Sequence, residues 1–319
     1  MKVKMKILLT GANGFLGNQF LLCYRESPDI ELLVRTPLLV CSKKQHIENI
    51  NSKSDFSSAL IDKEIVIHCA ARAHIMNDDA TDPLVEFREV NTHGTLNLAK
   101  QAAAAGVKRF IFISSIKVNG EATFGYPFTA FEEHKPEDFY GISKSEAEFG
   151  LRAIAEESDM EVVIIRPPLI YGLGVKANFA ALINLVTKKI PLPFGSITGN
   201  RRSLVSVYNL VDLIETCIHH PNAANQTFLV SDDHDLSTTE MVKLMAKVQG
   251  IKSWLFPVPV WMLKVLGKIT GKSDMISRLT DSLQVDISHT KESLDWTPPY
   301  SVEEGFAKSV QTSENKKTS

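Results

Sequence analysis

Residues 7–17 read ILLTGANGFLG, a strand-like run followed by three glycines. A short apolar run ends at Thr10, glycines follow at positions 11, 14 and 17, and a helical pattern begins among them. Glycines let the chain turn tightly out of a strand and let backbone N–H groups at a helix start approach a pyrophosphate. The stretch therefore predicts a dinucleotide site. The residues expected at that site are Gly11, Asn13, Gly14, Phe15, Leu16 and Gly17.

Further short apolar runs alternate with helical patterns as far as Arg166. Apolar strands that alternate with helices indicate a doubly wound α/β fold of the Rossmann type, with a parallel sheet covered on both faces. The predicted strands are Met5–Thr10, Ile30–Val34, Ile65–Cys69, Arg109–Ser114 and Glu161–Arg166, and the predicted helices lie near Gly14–Tyr24, Asp82–Ala105 and Tyr140–Glu157.

The pattern changes after Arg166, where two prolines end the strand and Gly and Pro recur. We expect a smaller mixed lobe in the C-terminal part, formed by 167–200 and 231–312. The Rossmann domain then covers 1–166, its sheet continued by part of 201–230, and 313–319 is a frayed tail. In the lobe, Ser237 and Glu240 form a capping box that opens a helix. The run at 261–266 indicates a buried or partner-facing helix, and the tryptophans at 254, 261 and 296 are expected to pack the lobe.

Composition narrows the class of protein. The chain has 319 residues, a net charge of −2 and 44% hydrophobic residues, and no dense basic stripe points to nucleic acid. No apolar run approaches the roughly 18 residues of a membrane span. The four cysteines have no metal-type or redox-type spacing. We therefore expect a cytoplasmic protein without a metal, a nucleic-acid partner or a membrane partner.

The second predicted strand bears on the choice of cofactor. An NAD site commonly has an acidic residue at the end of this strand, where it binds the adenosine ribose. Here Val34 is followed by Arg35, whose guanidinium is suited to a 2′-phosphate. The sequence thus predicts NAD(P), with a slight preference for NADP(H).

Residues 138–144 read DFYGISK, which places Tyr140 and Lys144 one helical turn apart on one face. A phenol beside an ammonium is an arrangement for moving a proton, because the cation favours the phenolate.

Four features follow one another along the chain, namely the three glycines, Cys69-Ala70-Ala71, Ser115 and Tyr140-x-x-x-Lys144. Through these features, in this order, the chain resembles an extended short-chain dehydrogenase/reductase, more narrowly the nucleotide-sugar epimerase/dehydratase family. The resemblance implies that Tyr140 is the acid/base on a sugar oxygen. It implies that Lys144 lowers the phenol pKa and holds the nicotinamide ribose, and that Ser115 hydrogen-bonds the same sugar oxygen. Ser114 is the competing assignment.

Further site residues follow from the same resemblance. Tyr140 and Lys144, which with Ser115 form the catalytic set, are expected at the cofactor as well. The additional cofactor positions are Cys69, Ala70, Ala71, Asn91 and Ser114. The substrate positions, beside Ser115 and Tyr140, are His74, Lys117, Asn178, Arg202 and Arg278, of which Asn178 and the two arginines are expected at the nucleotide diphosphate.

The resemblance also separates reactions. Sugar 4,6-dehydratases carry Asp-Glu after the catalytic Thr, whereas this chain has Ile116 and Lys117 after Ser115, so dehydration is not expected. The prediction is a reductase of a UDP-4-keto-6-deoxy-N-acetylhexosamine from a bacterial surface-polysaccharide branch, narrowly preferred over a UDP-glucose or UDP-N-acetylglucosamine 4-epimerase. A non-catalytic cofactor-binding protein is the rival from another class. The resemblance further implies a homodimer that pairs the helices near 82–105 and 140–157.

Overall fold

Seven parallel strands form the main sheet of the protein. The structure is a computed structural model that describes residues 5–73, 82–175 and 177–310, except for the side chains of residues 177 and 178. The strands that carry the site are apolar and buried because helices cover both faces of the sheet. The order of the strands is β3-β2-β1-β4-β5-β6-β9. In chain order the strands are β1 (Ile7–Thr10), β2 (Ile30–Val34), β3 (Gln45–Ile47), β4 (Ile65–His68), β5 (Arg109–Ile113), β6 (Glu161–Arg166), β7 (Leu169–Tyr171), β8 (Leu204–Ser206) and β9 (Thr227–Leu229).

The doubly wound α/β prediction is confirmed. Each of the five predicted strands is present within two residues of its expected ends, and β2 and β6 begin and end where expected. Because the strands run parallel, the residues that follow β1, β2, β4, β5 and β6 meet at one edge of the sheet, where ligands bind in such folds.

The α-helices include the three predicted ones, the short α2 in the N-terminal half and others in the C-terminal half. They are α1 (Phe15–Cys23), α2 (Ser57–Leu60), α3 (Pro83–Arg88), α4 (Thr95–Ala104), α5 (Phe139–Glu156), α6 (Ala177–Thr187), α7 (Val207–His219), α8 (Thr238–Val248), α9 (Val260–Ile269), α10 (Ser273–Thr280), α11 (Ser288–Leu294) and α12 (Val302–Val310). None of the helices in the described ranges is both long and apolar enough to cross a membrane.

The helix predicted near 82–105 has an irregular centre. A π-helical segment, Glu89–Gly94, joins α3 to α4, and Asp82 caps the start of α3 by accepting hydrogen bonds from the N–H groups of Leu84 and Val85. Such π-helical segments often occur at functional sites. Here the segment carries Asn91, one of the predicted cofactor residues.

A separate apolar cluster fills the C-terminal lobe, where α6, α8, α9 and α12 pack around the two-stranded sheet of β7 and β8. The capping box at Ser237 and Glu240 is present at the start of α8. Of the three tryptophans expected to pack, only Trp296 is buried, whereas Trp254 and Trp261 are exposed. The expectation was wrong for those two because α9 directs Leu263 and Gly267, not Trp261, toward the protein.

Candidate active site

The glycine turn after β1 fits a bound pyrophosphate. Gly11 has φ +71°, and a Cβ there would lie 2.6 Å from the Ala70 nitrogen. A Cβ on Gly17 would lie 2.2 Å from the Gly11 carbonyl oxygen, so α1 packs directly on the turn. Gly14 is exposed and caps α1 without any side-chain hydrogen bond. The start of α1 is thus a backbone surface that Cβ atoms would fill, as a dinucleotide requires.

The side chains of this loop have two orientations. Asn13 is exposed, while Leu16 is buried and Phe15 packs against the main core. Any contact of Leu16 with the predicted cofactor is therefore through its backbone.

The loop after β4 is joined to α5 through Asn91. The Asn91 amide accepts a hydrogen bond from the Arg72 nitrogen (2.8 Å) and donates to the Arg72 carbonyl (3.0 Å). It also donates to the Ser143 hydroxyl (3.0 Å), which donates to the Tyr140 carbonyl (2.8 Å). Asn91 therefore links the Cys69–Ala71 loop with the helix that carries Tyr140.

Ser114 and Ser115 follow β5 but have different surroundings. The buried Ser114 hydroxyl donates to Glu148 at 2.5 Å, inside the protein. Ser115 is partly exposed, and its Oγ accepts from the Lys117 nitrogen at 3.3 Å. Of the two, Ser115 has the hydroxyl available to a ligand.

The start of α5 sets the position of Tyr140. Asp138 caps the helix by accepting a hydrogen bond from the Gly141 nitrogen (2.7 Å). A Cβ on Gly141 would lie 2.8 Å from the Lys117 carbonyl oxygen, so this turn packs closely on the turn that contains Ser115. Tyr140 itself is partly exposed beside that contact.

Lys144 lies fully buried one turn beyond Tyr140. Its Nζ donates to the Ile113 carbonyl at 2.8 Å and lies 4.2 Å from the Phe112 ring centre and 5.9 Å from that of Tyr140. Burial lowers the pKa of Lys144 to about 7, although Cys69 and Glu148 act in the opposite direction. The ammonium is therefore only partly protonated near neutral pH.

The surroundings of the Tyr140 phenol oppose its ionisation. Burial, with a further contribution from Asp138, raises the pKa of Tyr140 above its ordinary value. Lys144 lies one turn away on the same helix, and its effect on the phenol stays a prediction.

A buried ionic network behind the site was not foreseen. Glu148 and Arg166 are both fully buried, and Arg166 Nη2 lies 2.6 Å from Glu148 Oε2. Arg166 also donates to Asn119 (2.9 Å) and contacts His134 (2.5 Å). The network joins β6 and α5 with the Ser114 end of β5. The signal in the sequence is Arg166, a charged residue that directly follows the four apolar residues of β6.

His68 is a second residue that the sequence analysis missed. Its Nδ1 lies 2.8 Å from the Thr10 hydroxyl and its Nε2 lies 2.9 Å from the Thr95 hydroxyl, while Thr10 also accepts from the Ala70 nitrogen (3.2 Å). Burial, followed by the charge of Lys144, lowers the pKa of His68 to about 3, so the ring is neutral. His68 thus fixes the ends of β1 and β4 below the predicted cofactor.

The predicted substrate residues Lys117 and Arg202 each already have a partner within the protein. Lys117 is an ion-pair partner of Glu121 (2.6 Å) and Asp138 (2.5 Å), so its ammonium is used within the protein. Arg202 is partly buried, and its Nη1 donates to the Asp281 carbonyl at 3.2 Å. Burial, offset by Asp281 and reinforced by the charge of Arg278, lowers the pKa of Arg202.

The two predicted diphosphate arginines therefore lie within electrostatic range of each other. Asp281, whose carbonyl accepts from Arg202, lines a cavity of about 310 Å³ together with Phe124 and Asn200. Asn178 lies in the first turn of α6, but its side chain and the whole of His74 are outside the described residues. Arg35 is exposed directly after β2. The last three residues of that strand, 32–34, include no acidic side chain.

The structure thus combines a glycine turn suited to a dinucleotide with Ser115, Tyr140 and Lys144 near the carboxyl edge of a parallel α/β sheet. Among the described residues no group of acidic, histidine and cysteine side chains is arranged to hold a metal ion.

A profile of the NAD dependent epimerase/dehydratase family matches residues 7–231, and the chain belongs to this family. A UDP-glucose 4-epimerase of Vibrio cholerae is 55% identical over 97% of this chain and 96% of that protein. Two solved structures have the same fold. A UDP-glucose 4-epimerase from Thermotoga maritima with UDP-glucose has a TM-score of 0.76 and 21% identity, over 98% and 99% of the two chains. A UDP-glucuronic acid 4-epimerase from Bacillus cereus in complex with NAD has a TM-score of 0.76 and 18% identity, again over 98% and 99%.

Proposed function

We propose that the protein is an NAD-dependent 4-epimerase of a UDP-sugar. The observation that carries the proposal is the 55% identity, over almost the whole chain, with a UDP-glucose 4-epimerase. The arrangement of Tyr140 and Lys144 on α5, packed against the turn of Ser115, supplies groups suited to that chemistry.

The chain's own residues have distinct parts in this proposal. NAD, when bound, supplies the reversible oxidation at the sugar's C4 carbon. Tyr140 removes the proton from the C4 hydroxyl and returns it after the sugar has presented its other face. Ser115 hydrogen-bonds the same oxygen, and Lys144 holds the nicotinamide ribose. Gly11, Gly14 and Gly17 bind the pyrophosphate through the backbone, while Arg202 and Arg278 bind the UDP diphosphate.

The relatives favour this epimerase over the 4-ketoreductase that the sequence analysis preferred. That preference depended on Arg35 and on a polysaccharide branch that the comparisons do not single out. Arg35 remains the observation in favour of a reductase that uses NADPH, because a guanidinium directly after β2 suits a 2′-phosphate. The reductase is therefore the second candidate.

We also propose that the enzyme does not catalyse 4,6-dehydration. Elimination of water needs groups beside the catalytic hydroxyl that exchange protons with the sugar. Here Ile116 is apolar and buried, and the Lys117 ammonium is paired with two carboxylates.

Mass spectrometry of the denatured, freshly purified enzyme separates the two candidates. An epimerase keeps one nicotinamide through both half-reactions, so we expect bound NAD and interconversion of UDP-glucose and UDP-galactose without added cofactor. A reductase releases its cofactor at every turnover. Protein free of NAD that turns over a UDP-4-keto sugar only with NADPH would identify the reductase instead, and Arg35→Ala would then weaken NADPH more than NADH.

We further propose a cytoplasmic homodimer that pairs α3–α4 and α5 with their copies. Phe149 on α5 is 59% exposed and Val85 on α3 is exposed as well, which suits a helical interface. Phe149→Glu should give monomers in sedimentation velocity, whereas Leu22→Glu, which alters an equally exposed leucine on α1, should not. A wild-type monomer at high concentration contradicts this proposal.

A further inference from the structure

Helix α9 presents its apolar side chains to solvent. Trp261, Val265 and Ile269 follow one another at four-residue spacing and so form one stripe along the helix. Trp261 is 67% exposed and Ile269 is 76% exposed. Only Leu263 and Gly267 of this helix are buried. A surface helix ordinarily places its apolar stripe against the core, so the orientation of α9 is the reverse of the usual one.

Neighbouring segments extend this apolar surface. Met262 and Leu266 lie beside the stripe, Trp254 in the segment before α9 is 60% exposed, and Met275 on α10 is exposed. We call these residues, together with the stripe and Phe256, the α9 face. Exposed large apolar side chains on one helix and its neighbouring segments mark a contact with another molecule or with lipid.

Lysines outnumber acidic residues around the α9 face, although Asp274 adjoins Met275 in the chain and Asp281 pairs with Lys264. Residues 251–273 contain four lysines, at 252, 264, 268 and 272, and no acidic residue, although the chain as a whole has a net charge of −2. Lys264 is paired with Asp281 at 2.9 Å. Lys268 and Lys272 are exposed beside the apolar stripe. Basic residues next to exposed tryptophans and aliphatic side chains are typical of helices that lie in a membrane interface.

We propose that the α9 face docks the protein on an anionic phospholipid surface. The apolar stripe enters the boundary between headgroups and acyl chains, the two tryptophans occupy the interface, and the lysines contact lipid phosphates. This revises the expectation of no membrane partner, which depended on the lack of a spanning segment. Peripheral docking needs no such segment.

Docking through α9 would also bring the predicted UDP-sugar site close to the membrane. The cavity that adjoins Arg202 is lined by Val260, the first residue of α9, and by Phe124. Docking therefore holds the UDP-sugar side of the protein close to the membrane. The inference rests on the surface alone and is independent of which reaction the site catalyses.

Co-sedimentation of the whole enzyme with vesicles of phosphatidylcholine, with and without phosphatidylglycerol, tests the proposal. We expect binding to the phosphatidylglycerol vesicles at least about tenfold tighter than to the neutral ones, and weaker binding as salt is raised. Trp261→Glu/Ile269→Glu should lower that binding at least about tenfold, and Lys268→Glu/Lys272→Glu should lower it by about fivefold or more for each lysine.

The matched controls alter equally exposed residues on other faces. Ile61→Glu and Lys100→Glu should bind vesicles as the wild type does, and all variants should keep the wild-type unfolding temperature. Wild-type protein that binds neither vesicle, or binds both equally, overturns the proposal. It is also overturned if Trp261→Glu/Ile269→Glu converts an oligomer into a smaller species, since a second copy then covers the α9 face.

Discussion

The Nζ atom of Lys144 lies 2.8 Å from the carbonyl oxygen of Ile113, the last residue of β5. The sheet end thus provides one hydrogen-bond acceptor to an amine that is otherwise surrounded by protein, with the Phe112 ring 4.2 Å away. One acceptor does not replace full hydration, and the pKa of Lys144 falls to about 7. The fold therefore holds this lysine at an energetic cost that serves the site.

Lys144→Met should make the cofactor-free protein more stable while it abolishes turnover. The folded pKa of about 7 is below the unfolded value of about 10.4, so between these pH values the unfolded chain binds the extra proton. The wild type is penalised most below pH 7, and the penalty fades as pH rises. The stability advantage of the variant should therefore shrink by up to about 1.4 kcal/mol per pH unit above pH 7.

Urea unfolding of both proteins at neutral and at mildly alkaline pH measures this difference. Lys100→Met, which alters an exposed lysine on α4, serves as the control and should show no such pH dependence. A constant difference between wild type and Lys144→Met would show that the buried amine stays charged.

Tyr140→Phe should reduce turnover by about 10²–10⁴-fold with folding and NAD binding intact, because only the proton carrier is lost. In the cofactor-free protein, burial and Asp138 keep the pKa of Tyr140 above its ordinary value of about 10. The positive nicotinamide ring of NAD⁺ should lower it. Tyrosinate absorbance of the wild type minus that of Tyr140→Phe, recorded during a pH titration with and without NAD⁺, measures the shift. Identical titrations would exclude the cofactor as the source of activation.

The sheet and the helix of the catalytic pair could be predicted because each depends on local pattern. Five runs of apolar residues mark buried strands, and the glycines after Thr10 mark the turn that follows β1. The short strands β3, β7 and β8 have three residues each, too few to show a periodicity. Their positions are set by pairing with distant strands.

Long-range contacts explain what the sequence did not reveal at the site. Glu148 and Arg166 lie on different elements, and only the packing of α5 on β6 makes them a buried pair. The same holds for His68 between two threonines. Likewise, the sequence shows the cation beside Tyr140 but not the burial that raises the pKa of the phenol and lowers that of Lys144.

Gly17→Ala should disrupt the cofactor turn, because the added Cβ would lie 2.2 Å from the Gly11 carbonyl oxygen. Neither backbone can move without shifting α1 away from β1. We expect a destabilised protein with NAD binding weakened at least about tenfold, measured by calorimetry and thermal unfolding. Gly199→Ala is the control, since its Cβ meets no atom within 4 Å. Tight NAD binding by Gly17→Ala would show that α1 does not need this close approach.

Arg202→Ala should weaken UDP binding by about 10- to 100-fold, the worth of a charge-assisted contact to phosphate. The neighbouring arginine provides the control. Arg201 is exposed, and its Nη1 donates to the carbonyls of Thr198 and Asn200, so Arg201→Ala should leave UDP affinity nearly unchanged.

Arg202 is partly buried beside the cavity, and its lowered pKa reflects desolvation that a bound diphosphate would offset. Calorimetric titration of UDP into the three proteins measures the difference. Because NAD binds at the glycine turn, its affinity should be the same in all three, and a parallel loss of NAD binding in Arg202→Ala would indicate a folding defect. Equal UDP affinity of the two variants would remove Arg202 from the diphosphate site.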